Sequence, residues 1–297
     1  MKNIVKAKPF IKWVGGKGQL LEQLDALLPT GFNEWENVTY IEPFGGGGAM
    51  LFHMLQKYPN ITRAVINDIN HDLIITYRVV RDNPEKLIDA LRSMETSYYA
   101  LPDMEFKKAM FLNMRSIYNN MRNRPVLSEV ELAAHFIFLN KTCFNGLYRV
   151  NRDGKFNVPF GKYKSPRICD EALIKADSEI LKCVEILEGN FADTVNYADG
   201  KTLFYFDPPY RPISKTSNFN DYTKDGFNDA MQISLKELCD TINNSGYAFL
   251  LSNSDCPDGF FDKLYSDYHI NRVSASRSVN SNAAKRGKIT EIVVSNF

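Results

Sequence analysis

Leu203-Phe204-Tyr205-Phe206-Asp207-Pro208-Pro209-Tyr210 decides how the rest of the chain reads. The apolar, aromatic run has the makings of a buried strand, and the two prolines must end it, since neither donates to a ladder and each restricts the residue before it. An acid and an aromatic ring are therefore held rigidly at the carboxyl end of a strand, where open α/β sheets bind ligands. A carboxylate beside a rigid proline carbonyl offers two acceptors at fixed separation, and the ring offers a flat surface. An exocyclic amino group on a planar base satisfies all three. A plain proline turn after a core strand has the same look, so the rest of the chain must decide.

Upstream, Val38 to Glu42 reads as a strand, followed by Pro43-Phe44, four glycines (Gly45 to Gly48) and a helix starting at Ala49. Ala64 to Asn67 reads as a second strand closing on Asp68, which completes the opening β-α-β of a doubly wound sheet. From Leu73 to Lys182 the pattern is mainly helical, with helices expected over Pro84 to Thr96, Met104 to Met121 and Glu129 to Leu139, then a long polar-aromatic loop region. Strands resume at Val184 to Leu187, Thr202 to Phe206, Tyr247 to Leu251, His269 to Val273 and Ile289 to Val294. The expected fold is therefore a Rossmann-like α/β sheet, mixed, with a reversed C-terminal strand. A helical insertion splits it: residues 1–72 and 169–297 form the sheet domain and 73–168 the insert.

The glycine turn fails the dinucleotide pattern G-x-G-x-x-G, because the last glycine falls at Met50, and a nicotinamide enzyme loses support. It fits Phe44-x-Gly46-x-Gly48 instead, with backbone open to close approach and Asp68 placed to hold a ribose. Ahead of the sheet, Phe10-Ile11-Lys12-Trp13-Val14-Gly15-Gly16-Lys17 sets a tryptophan and a lysine around a Gly-Gly turn, suited to closing on a carboxylate-bearing cofactor.

Among the 297 residues, 44% are hydrophobic and 24% charged, as in ordinary globular proteins, and no apolar run is long enough to span a bilayer. The start, Met1 to Lys8, lacks a signal-peptide core. The five cysteines, with no CxxC pair or zinc spacing, read as reduced core residues of a cytoplasmic protein. The scattered histidines, His53, His71, His135 and His269, read as structural or surface residues, and no metal site is expected. Formal net charge is +1, but it is unevenly placed. Lys141 to Arg167 holds seven basic residues against Asp153 alone, and Arg272 to Lys288 holds five with no acid. Either run by itself is an ordinary solvated face; two on an otherwise acidic chain suit a polyanion.

The ordered set Phe10 to Lys17, Glu42-Pro43-Phe44-x-Gly46-x-Gly48, Asn67-Asp68-Ile69-Asn70, Phe144-Asn145-Gly146-Leu147-Tyr148-Arg149-Val150-Asn151, Phe156-Asn157-Val158-Pro159-Phe160-Gly161 and Asp207-Pro208-Pro209-Tyr210 resembles the Dam family of DNA adenine-N6 methyltransferases. Tyr163-Lys164-x-Pro166 and Ser214 to Thr223 are similar to the DpnM-type members. The resemblance covers nearly the whole chain. It implies S-adenosylmethionine as cofactor, with contacts from Trp13 and Lys17, the methionine part lined by Glu42, Pro43, Phe44 and Gly46, the ribose on Asp68, and the adenine at Asn190 and Phe191.

Asp207, Pro208 and Tyr210 are the implied catalytic residues, Asp207 lying beside both cofactor and target amine. The implied DNA contacts are Phe144 as a wedge beside a flipped base, Arg149 on the first guanine of GATC, Pro159 on other bases, and Asn145, Leu147, Asn151, Lys162 and Lys164. Some relatives hold arginine at the Lys162 position, and a lysine gives a point charge instead of a fork. The implied partner is double-stranded DNA, bound by a monomer; a restriction nuclease encoded nearby would not be part of the complex.

Independent physics agrees. A duplex adenine cannot present N6 to a buried donor, so the base must leave the stack at a cost of about a few kcal/mol, as it does for base-modifying enzymes in general. The Lys141 to Arg167 segment interleaves basic and aromatic residues, as gripping phosphates and replacing lost stacking both require. Two rival functions remain open on the residues alone: methylation of a protein glutamine or RNA, and a silent DNA-binding regulator on the same fold.

Overall fold

The computed structural model describes residues 5–121, 128–212, 227–276 and 288–297. Ser214 to Thr223, and most of the second basic run with Lys285 and Arg286, lie outside the described residues.

The strands are β1 (Val38–Glu42), β2 (Ile61–Asp68), β3 (Val184–Glu188), β4 (Lys201–Phe206), β5 (Ala248–Ser254), β6 (His269–Ser276) and β7 (Lys288–Ser295). They form a seven-stranded sheet in the order β3-β2-β1-β4-β5-β7-β6. β1 is parallel to β2 and β4, and β4 to β5, whereas β7 runs antiparallel to both β5 and β6. The sheet is thus α/β and mixed, with the reversed strand at the C-terminus, as the sequence pattern predicts. Every residue of β1 is buried, and β4 is buried throughout after Lys201. Continuous apolar strands suit a parallel sheet covered on both faces.

The helices are α1 (Leu21–Asp25), α2 (Ala49–Lys57), α3 (His71–Asp82), α4 (Pro84–Tyr99), α5 (Met104–Met121), α6 (Glu129–Thr142), α7 (Glu171–Leu181), α8 (Asp229–Asn244) and α9 (Phe260–Leu264). Their starts follow ordinary capping chemistry: the Asn70, Ser128, Asp170 and Asn228 side chains each accept a backbone N–H of the first turn. α6 is buried on nearly every face, so its sequence has no amphipathic stripe to read.

Two compact units divide the chain: residues 1–16, 46–56 and 68–188 in the first, and 17–45, 57–67 and 189–297 in the second. This cuts differently from the partition at 72/73 and 168/169. α3 and α7 belong to the first unit with α4, α5 and α6. The reason lies in α3, whose Leu73, Ile74, Ile75, Tyr77, Val79 and Val80 are all buried, and whose Asp72 accepts the Tyr118 hydroxyl of α5 at 2.5 Å.

All five cysteines are free, but only Cys143, Cys239 and Cys256 are buried. The expectation of five core cysteines is corrected for Cys169, which is half-buried, and Cys183, which is exposed. Cys183 follows α7 directly before β3, and an apolar neighbourhood in sequence did not translate into burial. Among the described residues no helix is long and apolar enough to cross a membrane.

Candidate active site

In the second unit, β1 and β4 lie side by side and parallel, with Ile41 opposite Phe204, so Glu42 and Asp207 leave the sheet at the same end. The prolines stop β4 at Phe206, as their missing donors require. Asp207 Oδ1 receives the Lys17 ammonium at 2.7 Å, and Lys17 is only 3% exposed. The same ammonium lies 4.5 Å from the centroid of the Tyr210 ring and 3.9 Å from Glu291 Oε2. Tyr210 in turn donates its hydroxyl to Glu291 Oε2 at 2.6 Å. Burial pushes the Asp207 carboxyl above the usual range; Lys17 opposes this and Glu291 adds to it.

The backbone after the acid is fixed from elements with no visible motif. Gln232 Nε2, on α8, donates to the Pro209 carbonyl at 3.2 Å, and Gln232 Oε1 accepts from Asn253 Nδ2, on β5, at 3.1 Å. Both side chains are fully buried. Arg211 then anchors the exit, pairing with Asp229 and Asp258 at 2.7 Å each. Sequence reasoning missed Glu291, Gln232, Asn253 and Arg211. The one available signal was an acid at position 291 followed by the apolar run Ile292-Val293-Val294.

Glu42 is 2% exposed and accepts the Tyr40 hydroxyl at 2.7 Å. Among the described residues no basic side chain pairs with it. Burial, with the charge of Asp207 adding to it, raises its pKa from 4.5 to about 8 despite the Tyr40 hydrogen bond. The folded protein therefore keeps a proton that the unfolded chain releases near 4.5, and stability falls as pH rises from there through about 8. Glu42→Gln is expected to flatten that fall, and to stabilise the protein above pH 8 by on the order of a few kcal/mol, at about 1.4 kcal/mol per pKa unit. Urea unfolding of both proteins across this window checks it; an unchanged slope would mean that Glu42 is ionised.

Nearby in the same unit, Phe44 stacks on Phe191 at 5.0 Å between ring centroids, and Phe227 meets Phe44 edge-on at 5.6 Å. The buried Asn67 donates to the carbonyls of Pro43 and Gly189, at 3.0 and 3.2 Å, and so ties the turn after β1 to the one before Asn190. The Asn190 side chain accepts from Ala192 N and starts a short 3-10 helix, Phe191–Tyr197.

The first unit holds Trp13, Gly46 and Asp68 together. Asp68 Oδ2 accepts from Gly46 N at 3.0 Å and Oδ1 from Asn70 N at 2.9 Å; burial raises its pKa, and the backbone hydrogen bonds of Asn70, Gly46 and Ile69 oppose the rise. Gly46 has φ 48°, and a Cβ there would lie 2.9 Å from Trp13 Cδ1. Trp13 stacks on Tyr148, with centroids 5.5 Å apart, and Tyr77 donates to the Gly46 carbonyl at 3.0 Å.

In the same unit the Phe144 to Asn157 segment is a hairpin, bridged at Val150–Phe156, with Cys143 bridged to Phe160. Asn140, buried at the end of α6, accepts from Lys12 N and donates to the Lys12 and Gly146 carbonyls. Gly146 sits so close to Lys12 that a Cβ would lie 2.5 Å from Lys12 Cδ. Phe144 is 51% exposed, and Asn145, Arg149, Asn151, Pro159, Lys162 and Lys164 are exposed as well, while Leu147 is half-buried. Arg149 is aimed by Asn157, whose Oδ1 accepts from Nε at 2.7 Å. The Asn151 side chain instead closes its own turn, accepting from Asp153 N and Lys155 N. Pro159 contributes its carbonyl to Phe144 N at 2.8 Å.

Sheet order, the reversed β7 and the acid-proline-proline-tyrosine turn on β4 define a Rossmann-like methyltransferase. Residues 13–279 match the family model of the D12 class N6 adenine-specific DNA methyltransferases, and the chain belongs to that family. It is 45% identical to the Type II methyltransferase M.MjaIII of Methanocaldococcus jannaschii, over 99% of this chain and all (100%) of that one. It is 40% identical to the Type II methyltransferase M1.LlaDCHI of Lactococcus lactis subsp. cremoris, over 100% of this chain and 98% of that one. A DNA adenine methylase of Vibrio cholerae is 31% identical over 97% of this chain and 95% of its own. The protein is an adenine-specific DNA methyltransferase, and the protein-glutamine, RNA and silent-regulator alternatives fall away.

Proposed function

We propose that the methyl donor is S-adenosylmethionine and that the acceptor is N6 of an adenine turned out of duplex DNA, within GATC. One observation carries the chemistry: the Lys17 ammonium donates to Asp207 while lying on the face of Tyr210. Those are the two contacts that an exocyclic amine on a stacked base requires.

The donor's residues are those assigned from the sequence: Trp13, Lys17, Glu42, Pro43, Phe44, Gly46, Asp68, Asn190, Phe191 and Asp207. The chemistry present fits it. Glu42, a buried acid with no cation beside it among the described residues, suits the ammonium of an amino-acid group; the carboxylate of Asp68, held in place by backbone N–H groups, suits a ribose diol; and the Phe44–Phe191 pair suits a purine. When bound, S-adenosylmethionine supplies an electrophilic methyl on a sulfonium. Asp207 and the Pro208 carbonyl each accept one N6 hydrogen, which turns the nitrogen lone pair out of conjugation with the ring. Tyr210 carries the base, and the Asp207 carboxylate receives the proton that the methylated amine must lose. Positioning and local electrostatics provide most of the acceleration.

DNA is held by the exposed basic residues of 141–167, with Phe144 as the wedge, Arg149 as the reader, and Asn145, Leu147, Asn151, Pro159, Lys162 and Lys164 as supporting contacts. A bidentate arginine–guanine contact is worth about 1–3 kcal/mol of discrimination, whereas lysine–phosphate contacts carry no sequence information. Arg149→Ala is therefore expected to relax the first-base preference, and Lys162→Ala and Lys164→Ala to weaken all duplexes together with a shallower salt dependence. Transfer to GATC duplexes and to duplexes changed at the first base, at two salt concentrations, checks this. Equal loss on every sequence would make Arg149 a phosphate clamp.

The experiment for the reading as a whole is digestion of DNA from a methylation-free host expressing the protein, with nucleases that differ in their response to GATC methylation. Unaltered digestion would reject GATC. Two relatives bear Type II methyltransferase names, and by analogy we place this enzyme beside a restriction nuclease that it does not bind; neighbouring genes test that.

A further inference from the structure

Glu291 stands on β7 opposite Ser254 of β5 and Val273 of β6, directly before the buried Ile292, Val293 and Val294. A carboxylate in such a strand is costly unless it is hydrogen-bonded and paired. Here its side chain is 12% exposed, with Lys17 at 3.9 Å and the Tyr210 hydroxyl at 2.6 Å. The backbone on either side of the tyrosine is held, Pro209 O by Gln232, Arg211 N by Asn253 and Arg211 O by Ser254, so the main freedom left to the ring is rotation of its own side chain. The hydroxyl contact removes that freedom at the far end of the ring.

We infer that Glu291 is a positioning residue of the transfer reaction: through its hydrogen bond to Tyr210 it sets the plane of the ring on which the target base rests. The inference rests on the proposed stacking role of Tyr210. A phenylalanine at 210 would keep the stacking surface and lose the tether. Loss of the tether and loss of the carboxylate are then one event, and the two substitutions must not add.

The test measures single-turnover methylation and the fluorescence of 2-aminopurine placed at the target adenine, for E291A, E291Q, Y210F and the double variant Y210F/E291A. A hydrogen bond to a charged group is strong enough that E291A and Y210F should each slow transfer about tenfold or more and reduce the 2-aminopurine change. The double variant should be no slower than either single one. E291Q, whose amide oxygen still accepts the hydroxyl, should restore most of the lost rate. Thermal unfolding identifies a variant that does not fold; E291L, which fills the same space, then replaces E291A.

Wild-type rates in folded E291A, a double variant showing the product of the two single losses, or an E291Q as slow as E291A would each overturn the inference. The last would assign Glu291 a charge role toward Lys17 instead. Y210A at wild-type rate would sink the stacking role of Tyr210 itself, which is a different failure.

Discussion

Asp207→Ala is expected to abolish detectable methyl transfer. The substitution removes an acceptor aimed at the reacting amine, and losing one preorganised group of this kind costs about 10²–10³-fold or more. It also strips Lys17 of its 2.7 Å contact, a nearly buried ammonium that lies 3.9 Å from Glu291. Breaking a buried pair in this way destabilises by about 3–5 kcal/mol at the upper end, and the 23% exposure of the Asp207 side chain reduces that figure. Activity and stability are therefore expected to fall together, and the double variant Lys17→Met/Asp207→Ala separates them. Removing the buried ammonium as well should recover much of the melting temperature and none of the transfer. Near-wild-type turnover in Asp207→Ala, measured with tritiated donor, would reject its catalytic role.

Loss of Asp68 is expected to have the next largest effect, and on donor binding. Its carboxylate clamps Gly46 N and Asn70 N, so Asp68→Ala removes the proposed ribose contact and releases the glycine turn at once. With charged hydrogen bonds worth about 1.5–3 kcal/mol each, S-adenosylmethionine affinity should fall roughly a hundredfold or more. Trp13→Ala should weaken it less, through lost packing against Gly46 and Tyr148. Calorimetry with the cofactor, alongside DNA affinity at low salt, separates the two ligands. Unchanged cofactor affinity in both variants would place the donor elsewhere.

The sequence by itself determined the architecture and the chemistry-bearing turns. β1 and α5 fall where the pattern puts them, and the other expected strands and helices keep their positions with ends shifted by a few residues. This follows because apolar runs, prolines and glycines act on the backbone locally, and the Asp207-Pro208-Pro209-Tyr210 turn needs no distant residue to form. α6 shows the limit of that reading, since a helix buried on nearly every face has no stripe to show which layer it joins.

The tertiary structure alone decided the partners. Lys17 was read from the sequence as a cofactor contact, yet its ammonium sits on Asp207, which is 190 positions further along the chain. Glu291, Gln232 and Asn253 hold Tyr210 and Pro209 from β7, α8 and β5, and Asn157 aims Arg149 across a hairpin. A hydrogen bond between distant segments leaves no periodicity and no motif in either of them. It exists only once the chain has folded, because burial makes each polar group costly without a partner and the fold determines which partner is within reach.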